Sequence, residues 1–452
     1  MDAIICNAGK GTRLGELGVY TRKCMFRDAH ADKSILWYQL DALHELGVQR
    51  AVIVTPERDT QIKAEIHRMH DRHPGMDIVC VPAATHNVLE SIQIGLQHTI
   101  AERVIRLDGD VCILNRGDLA SVRETTGNAL CCFPPAHCVL NTSTPVVQGG
   151  AISFWSPQAE SAPVWSCIDV WRREDLVRVV ENPAAEESAF FFHRVNRLQA
   201  ASPPIAVEIV AIPPVYEIDT QEDLALLTAR WDAHAKELEE ESLRYWMGLR
   251  DYPAFTVDKE ALWKIDAALL LEHIKEDERI LEMGAGLGRL IEPALAQGKL
   301  SRYSVIEPNP HWAQAIADRF VNEPRVRVFP QTVADYVAQE AVEQADVALG
   351  FGWATYLIHD GSLHRCLSRL PASKLLLKAP EPPQERFARL RVDHYSRELG
   401  TRYISLYRSA SETCRLVRNA GWIVRELRRN LYPDHLESAY GSRTFLIVAK
   451  RP

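Results

Sequence analysis

The chain has 452 residues, which is longer than a single domain usually is, so we expect two domains. Hydrophobic residues make up 46% and charged residues 25% of the chain, as in soluble globular proteins. This composition excludes the disordered, collagen-like and coiled-coil classes. The formal net charge is −8 with no basic block, which disfavours general nucleic-acid binding and favours small-molecule substrates.

Targeting signals and metal-binding cysteine patterns are missing from the sequence. The N-terminus has no signal-peptide pattern and no run of about 18 apolar residues occurs, so we expect a cytoplasmic protein without membrane contact. The ten irregularly spaced cysteines predict reduced thiols. Cys131, Cys132, His137 and Cys138 lack the CxxC spacing of structural zinc sites, so we expect no zinc there. The sequence leaves the oligomeric state open, with a homodimer among the alternatives.

The first half alternates short β-rich runs with helical periods, which is typical of an α/β domain around a mainly parallel sheet. The predicted strands cover residues 3–6, 50–55, 77–81 and 104–107, and the predicted helices cover 35–46 and 88–98.

A second strand, glycine-loop and helix series begins with a strand predicted at 279–282, and further strands are predicted at 303–307, 325–329, 347–350 and 374–378. A charged helix is predicted over 224–245 between the two series. We therefore expect an α/β protein with one domain at 1–231, a helical linker or cap at 232–262 and a second domain at 263–452.

The first glycine loop follows the strand at 3–6 and contains Ala8, Gly9, Gly11, Thr12 and Arg13. Glycines there let backbone N–H groups approach a polyphosphate, and Arg13 adds a forked donor. A second cation, Lys23, follows ten residues after Arg13. A structural turn is the alternative interpretation of this loop.

Three carboxylates come at strand ends in distant parts of the chain. Asp108 and Asp110 follow the strand at 104–107, and Asp219 lies far downstream. Two such carboxylates suit a hard cation such as Mg²⁺ held together with triphosphate oxygens. The alternative is a turn at 108–110 and a helix N-cap at Asp219.

Residues 7–13 with Lys23, Asp110 and Asp219 resemble the sugar-nucleotidyltransferase superfamily in order and spacing. The segments 87–91, 150–155 and 215–219 are most similar to bacterial choline-phosphate cytidylyltransferases and their phosphonate-using relatives.

The resemblance implies a Rossmann-like nucleotidyltransferase with a mixed, mostly parallel sheet, and CTP as co-substrate. It implies that Arg13, Lys23, Asp110 and Asp219 are catalytic, the two aspartates as Mg²⁺ ligands. It also implies a nucleotide site that includes Ala8, Gly9, Gly11, Thr12, Asn87, Ser91 and Asp108.

In those relatives a carboxylate and aromatic rings hold the ammonium group of the substrate, which is a physically sensible cage. The comparable stretch at 190–194 has three phenylalanines followed by His193 and Arg194, and no acid. Choline is therefore disfavoured as the acceptor's head group, and His193 or Arg194 could face an anionic acceptor instead. The alternative is that both are surface residues of a helix.

The second glycine turn contains Glu282, Gly284, Ala285, Gly286 and Gly288. An acid, Glu307, follows at about the 20-residue distance at which carboxylates meet ribose hydroxyls. The GxGxG spacing resembles motif I of class I S-adenosylmethionine-dependent methyltransferases, which implies a Rossmann-like fold and S-adenosylmethionine as co-substrate. The resemblance also implies that four residues fall in segments that line the acceptor pocket: His359, His394, Tyr395 and Tyr403. The alternative is that they are packing or surface residues.

Both halves together predict a bifunctional enzyme. The first half would transfer CMP from CTP to a small phosphorylated or phosphonate compound, such as phosphocholine, phosphoethanolamine or aminoethylphosphonate. The second would methylate the same or a pathway-related molecule. One alternative is a sugar-1-phosphate nucleotidyltransferase with a sugar or glycan methyltransferase; another is a C-terminal half that binds a nucleoside without catalysis.

Overall fold

The structure is a computed structural model that describes residues 1–7, 14, 17, 20–56, 59–70, 73, 75–137, 144–156, 159, 161–181, 190–251, 259–296, 300–383, 388–434, 436 and 443–452. These residues form two compact units. The first contains Met1–Asp28 and Lys33–Arg230, and the second contains Ala29–Asp32 and Trp231–Pro452.

The first unit contains thirteen strands among its described residues. They are β1 (Asp2–Cys6), β2 (Arg27–Asp28), β3 (Lys33–Ser34), β4 (Arg50–Thr55), β5 (Asp77–Pro82), β6 (Arg103–Asp108), β7 (Val111–Cys112), β8 (Asn128–Phe133), β9 (Pro145–Gln148), β10 (Ala151–Phe154), β11 (Val164–Arg172), β12 (Val207–Ala211) and β13 (Tyr216–Glu217).

The helices of this part of the chain are α1 (Ile35–Glu45), α2 (Thr60–His70), α3 (Val88–Gln97), α4 (Arg173–Glu181), α5 (Phe191–Gln199) and α6 (Gln221–Gly248), of which α6 runs on into the residues of the second unit. Short 3-10 helices cover Lys23–Met25, Arg116–Glu124 and Pro135–His137.

The main sheet of the first unit has the order β10-β9-β11-β6-β1-β4-β5, with β8 and β12 continuing beside β11. Strands β6, β1, β4 and β5 run parallel, whereas β11 is antiparallel to β6. The central strand β1 is buried on both faces, since Ala3, Ile4 and Ile5 are 0% exposed. A continuous apolar run is what a parallel strand covered on both faces requires.

The second unit contains α7 (Lys259–His273), α8 (Ile291–Ala296), α9 (Pro310–Arg319), α10 (Val333–Ala338), α11 (Asp360–Arg369), α12 (Ala410–Asn419) and the 3-10 helix Trp353–Tyr356. Its strands are β14 (Arg279–Met283), β15 (Arg302–Ile306), β16 (Val326–Phe329), β17 (Ala345–Phe351), β18 (Ala372–Pro380), β19 (Arg389–Ser396), β20 (Thr401–Arg408), β21 (Ile423–Arg429) and β22 (Thr444–Lys450).

The sheet of the second unit has the order β16-β15-β14-β17-β18-β22-β21. The strands from β16 to β18 are parallel, and β22 is antiparallel to both β18 and β21. The strand order reverses between β14 and β17, and in doubly wound folds ligands bind outside the carboxyl ends of the strands at such a point. A separate hairpin is formed by β19 and β20.

The predicted α/β class with two Rossmann-like units is confirmed. The predicted strands at 3–6, 50–55, 77–81 and 104–107 correspond to β1, β4, β5 and β6, and those at 279–282, 303–307, 325–329, 347–350 and 374–378 correspond to β14 to β18. The sequence did not predict the β19–β20 hairpin, and α6 is longer than the predicted helix at 224–245.

Within the described residues, no helix combines the length and the apolar character that a membrane crossing requires.

Helix α3 packs so tightly on β1 that Gly95 leaves no room for a side chain. A Cβ at Gly95 would lie 2.5 Å from Cγ2 of the fully buried Ile4. We expect Gly95→Ala to lower the free energy of unfolding of the first unit by about 1–3 kcal/mol through overpacking, less the gain of up to about 1 kcal/mol in helix propensity. Urea unfolding measures this change.

The matched control is Gly127→Ala, since a Cβ there meets nothing within 4 Å. A Gly95→Ala protein as stable as the Gly127→Ala protein would contradict this account of the packing.

Candidate active sites

A short antiparallel ladder brings the predicted acidic residues of the first unit together. Strand β13 pairs with β7, so that Glu217 lies opposite Val111, and the N–H of Ile218 donates to the carbonyl of Asp110 at 3.1 Å. Carboxylate oxygens of Asp110, Glu217 and Asp219 consequently lie within 4.8 Å of one another. Residues about a hundred positions apart in sequence thus form one cluster at the end of β6.

The Lys23 ammonium lies between two of these carboxylates. Its Nζ donates to Asp110 Oδ2 at 2.8 Å and to Asp219 Oδ1 at 2.7 Å. Burial acts to lower the pKa of Lys23, but the two carboxylates raise it above its ordinary value, so the side chain stays charged. The 3-10 helix that carries Lys23 is fixed to the end of β1 because Asn7 Nδ2 donates to Cys24 Sγ at 3.0 Å.

The turn between Asp108 and Asp110 is shaped by close contacts with its neighbours. A Cβ at Gly109 would lie 2.6 Å from Asn7 Oδ1, so only glycine fits there while Asn7 keeps its position. Gln39, a buried residue of α1, donates from Nε2 to the carbonyls of Asp108 and Val111 at 2.8 and 2.9 Å. The turn therefore presents Asp110 in a fixed position.

The carboxylate cluster carries more negative charge than Lys23 can neutralise. Burial and the neighbouring Asp110 and Asp219 raise the pKa of Glu217 well above its ordinary value. Asp110 Oδ1 is buried and has no hydrogen-bond partner among the described residues. An oxygen-only ligand set with an unsatisfied carboxylate oxygen fits Mg²⁺, which prefers such ligands.

Asp108 is paired inside the protein. Its Oδ1 accepts a hydrogen bond from Arg106 Nη1 at 2.7 Å. Burial, with a contribution from the charge of Asp110, raises the pKa of Asp108 to about 6 despite this guanidinium. The Asp108 side chain, predicted to bind nucleotide, is therefore part of a partly buried ion pair with Arg106.

Arg106 itself fills an aromatic cage. Its guanidinium lies 5.1 Å from the ring centroid of Trp165 and 4.8 Å from that of Phe191, and Nε is 3.1 Å from both oxygens of Asp169. Arg106 and Asp169 are both 0% exposed. Two rings and a carboxylate that could hold a substrate's ammonium group are therefore occupied by the protein's own cation.

The other predicted residues of the first unit have these surroundings. Asn87 caps α3, its Oδ1 accepting from the N–H of Glu90 at 3.0 Å, and Ser91 Oγ lies 3.0 Å from Thr85 Oγ1. The loop residues Ala8, Gly9, Gly11, Thr12 and Arg13 lie outside the described residues.

The two predicted acceptor residues lie on α5. Arg194 donates to the carbonyl of Val180 near the end of α4, and burial lowers its pKa. His193 is exposed and its ring packs edge-on against Phe190 and Phe192 at 5.6 and 4.4 Å. The structure does not bring either residue into contact with Lys23 or the carboxylate cluster.

In the second unit, the glycine turn after β14 adopts a backbone conformation that favours glycine. Gly284, Gly286 and Gly288 have φ values of +65°, +60° and +67°. The N–H of Gly286 donates to Glu307 Oε2 at 2.7 Å, which links the turn to the end of β15. Ala285, between the first two glycines, is 5% exposed.

The two acids of this site differ in their partners. Glu282 is buried and accepts from the Tyr303 hydroxyl at 2.9 Å, so it holds β14 to β15 inside the sheet. Glu307 accepts from the backbone N–H groups of Gly286 and Asn309. Burial raises the pKa of each carboxyl to about 7. Glu307, at the carboxyl edge, is the acid placed to meet a nucleoside.

Three residues near this site were not singled out in the sequence: Asn309, Trp246 and Trp353. Asn309 Nδ2 donates to the carbonyls of Trp246 and Leu249, both at 2.7 Å, so the end of α6 lies beside Glu307. A Cβ at Gly284 would lie 3.3 Å from Trp353 Cδ1. No periodicity or spacing in the sequence identifies these tryptophans.

The predicted acceptor-lining residues of the second unit are not brought together. Tyr395 on β19 is 61% exposed, and His359 Nε2 lies 2.6 Å from Asp232 Oδ1. Tyr403 packs against Trp246, at 5.9 Å between ring centroids. The side chain of His394 lies outside the described residues.

Glu217 is the further residue of the first site that the sequence did not single out. The signal was present, since Glu217 stands two positions before Asp219 in the same segment. However, side chains two positions apart share a face only within a continuous strand. Strand β13 ends at Glu217, so alternation does not link Glu217 to Asp219.

Breaking the Arg106 pair leaves Asp169 and Asp108 uncompensated, so we expect Arg106→Met to lower the free energy of unfolding of the first unit by about 3–5 kcal/mol. Adding Asp169→Asn should restore part of this loss because one buried charge is removed. Urea unfolding of the single and double variants checks this. Equal stability of Arg106→Met and the unsubstituted protein would contradict the assigned role of the pair.

A family model described as a MobA-like NTP transferase domain matches residues 3–146. No curated protein matches the chain. The N-terminal residues that contain β1, β6 and Asp110 are thus similar to an NTP transferase domain.

Among solved structures, the chain is similar to the CTP:phosphocholine cytidylyltransferase from Streptococcus pneumoniae, with 19% identity, 51% of this chain and 98% of that chain covered, and a TM-score of 0.40. It is similar to the inositol-1-phosphate CTP transferase from T. maritima, with 16% identity, 51% and 96% covered, and a TM-score of 0.42. An S-adenosylmethionine-dependent methyltransferase from Leishmania major has 17% identity, 47% and 83% covered, and a TM-score of 0.36.

Proposed function

We propose that the first unit transfers CMP from CTP to a small phosphorylated or phosphonate compound and releases pyrophosphate. The observation that carries this proposal is the Lys23 ammonium held between Asp110 and Asp219 at 2.8 and 2.7 Å. Such a constellation suits charge that develops on a transferring phosphoryl group. The match of residues 3–146 to an NTP transferase domain supports it.

The proposed reaction needs no general base. An anionic oxygen of the acceptor attacks the α-phosphorus in line, a new P–O bond forms, and the bond to pyrophosphate breaks with its electron pair leaving on the pyrophosphate oxygen. Lys23 neutralises negative charge beside the reacting phosphate, and Asp110 with Asp219 would hold Mg²⁺. When bound, Mg²⁺ would supply further positive charge to the triphosphate.

The acceptor is proposed to be a compound of the phosphocholine, phosphoethanolamine or aminoethylphosphonate type. Because Arg106 fills the space between Trp165 and Phe191, an acceptor's ammonium group has to bind elsewhere. Pyrophosphate release with CTP, UTP, dTTP and GTP, each tested with a phospho-amine and a sugar 1-phosphate, separates this proposal from a sugar-1-phosphate nucleotidyltransferase.

We propose that the second unit transfers a methyl group from S-adenosylmethionine to the same or a pathway-related small molecule. Support comes from the left-handed glycines of the turn after β14, which let a nucleoside approach bare backbone, and from Glu307 at the end of the neighbouring strand. In this assignment Glu307 accepts hydrogen bonds from the ribose hydroxyls. A unit that binds the nucleoside without catalysis is distinguished by the absence of methyl transfer to any acceptor.

We expect Lys23→Ala and Asp110→Ala each to reduce the rate of pyrophosphate release from CTP by roughly 10²–10³, as for loss of one charge-stabilising group. A coupled pyrophosphate assay measures the rate, and circular dichroism confirms folding. The control is Asp77→Ala, which removes an exposed carboxylate that pairs with Arg50 and should leave the rate unchanged. Full activity of Lys23→Ala would refute the proposed role.

We expect the affinity for S-adenosylhomocysteine to fall about tenfold between roughly pH 8 and roughly pH 6, because a protonated carboxyl accepts ribose hydrogen bonds poorly. The sign follows from the pKa of Glu307, raised by burial to about 7, so the carboxylate is lost as the pH falls through 7. Isothermal titration calorimetry at several pH values measures the slope.

Glu282, whose pKa is also about 7, provides the control because its carboxylate is taken by Tyr303. Glu307→Gln should flatten the pH dependence, whereas Glu282→Gln should keep it. An unchanged slope in Glu307→Gln would show that another group is responsible.

A further inference from the structure

Three aromatic side chains of the second unit meet over the carboxyl edge of its sheet. Trp246 lies near the end of α6, Tyr356 is the last residue of the 3-10 helix that comes after β17, and Tyr403 lies on β20. The centroid of Trp246 is 4.8 Å from that of Tyr356 and 5.9 Å from that of Tyr403, and the two tyrosines are 6.5 Å apart. We call Trp246, Tyr356 and Tyr403 the aromatic cluster.

The rings of the aromatic cluster are steeply inclined to one another. Interplanar angles are 62° for Trp246 and Tyr356, 71° for Trp246 and Tyr403, and 75° for the two tyrosines. In these edge-to-face contacts, the edge of one ring covers only part of the face of its neighbour. All three residues are partly exposed, unlike the fully buried core residues of the sheet.

The aromatic cluster adjoins the proposed methyl-donor site. The carbonyl of Trp246 accepts from Asn309 Nδ2 at 2.7 Å, and the N–H of Asn309 donates to Glu307 at 2.9 Å. Tyr356 stands three residues after Trp353, whose ring limits the space at Gly284. The cluster therefore touches both segments that would enclose S-adenosylmethionine, the end of β15 and the end of β17.

The polar atoms of the cluster indicate that it is more than a packing contact. Trp246 Nε1 is buried without a hydrogen-bond partner among the described residues. Tyr403 is hydrogen-bonded to Tyr356 and Tyr407, and burial raises its pKa, so its hydroxyl stays neutral. The cluster thus presents neutral, electron-rich rings and no anionic oxygen of its own.

We propose that the aromatic cluster binds the amino or methylated ammonium head group of the methyl acceptor. The electron-rich faces of tryptophan and tyrosine attract cations, and tryptophan does so most strongly. This inference rests on the proposed methyl transfer and deepens it: it assigns nitrogen as the methylated atom and an aliphatic amine as the substrate class.

The chemistry of the transfer balances with this assignment. The bound ammonium group first releases one proton to water. The nitrogen lone pair then attacks the methyl carbon, an N–C bond forms, and the C–S bond breaks with its electron pair going to sulfur. Sulfur becomes a neutral thioether, the positive charge passes to nitrogen, and any proton on that nitrogen leaves to water. Rings around the nitrogen would stabilise the charge as it develops.

The test compares choline with its uncharged isostere 3,3-dimethyl-1-butanol, each titrated calorimetrically into the full chain with S-adenosylhomocysteine present. We expect choline to bind about tenfold more tightly, as the cation–π attraction to desolvated rings implies. Trp246→Leu keeps the apolar bulk and removes the strongest ring, so it should abolish the preference while S-adenosylhomocysteine still binds. The matched control is Tyr20→Leu, which removes an exposed tyrosine of the first unit and should keep the preference for choline.

Equal affinities for choline and the isostere, or a preference that survives in both Trp246→Leu and Tyr356→Leu, would overturn the proposal. A preference that survives in both variants would also show that choline binds elsewhere in the chain. Failure of the methyl-donor assignment looks different: S-adenosylhomocysteine would not bind to the unsubstituted protein, whereas the choline preference and its loss in Trp246→Leu would remain. A Trp246→Leu protein that fails to fold leaves Tyr356→Leu as the deciding variant.

Discussion

The first site depends on neutralising a group of carboxylates that the fold forces together. The β7–β13 ladder fixes Asp110, Glu217 and Asp219 at one sheet end, and like charges at that distance repel. Lys23 offsets part of this repulsion, which explains why its 3-10 helix is anchored to β1 through Cys24 and Asn7. Without a cation at this position, repulsion between the carboxylates would destabilise the β7–β13 ladder.

The two proposed sites are built in different ways. The first uses side-chain charge, with Lys23 and the carboxylate cluster as the described part of the site. The second uses backbone geometry, since Gly284, Gly286 and Gly288 have positive φ values and no side chains, and Glu307 is oriented by the N–H groups of Gly286 and Asn309. The net charge of −8 therefore says little about either site, because the placement of a few groups decides what binds.

Much of the fold was predictable because buried parallel strands are continuous apolar runs. Residues 3–6 and 347–350 are examples. Glycine-rich segments follow β1 and β14 in the sequence. The pairing of Arg106 with Asp169 was not predictable, since the two residues come from strands 63 positions apart and neither has a local pattern. Tyr403 was a candidate from the sequence, but its contact with Trp246 and Tyr356 was not predictable, since the three residues meet only through the tertiary fold.

The close contact between Gly109 and Asn7 has a consequence for how this chain can vary. The superfamily that residues 7–13 resemble has alanine where this chain has Asn7. Here the Asn7 side chain fills the space above Gly109, with its Oδ1 2.6 Å from where a Cβ would lie. The two positions are therefore energetically coupled: a side chain at 109 becomes tolerable only after Asn7 is shortened, and that shortening also releases the hydrogen bond to Cys24 beside Lys23.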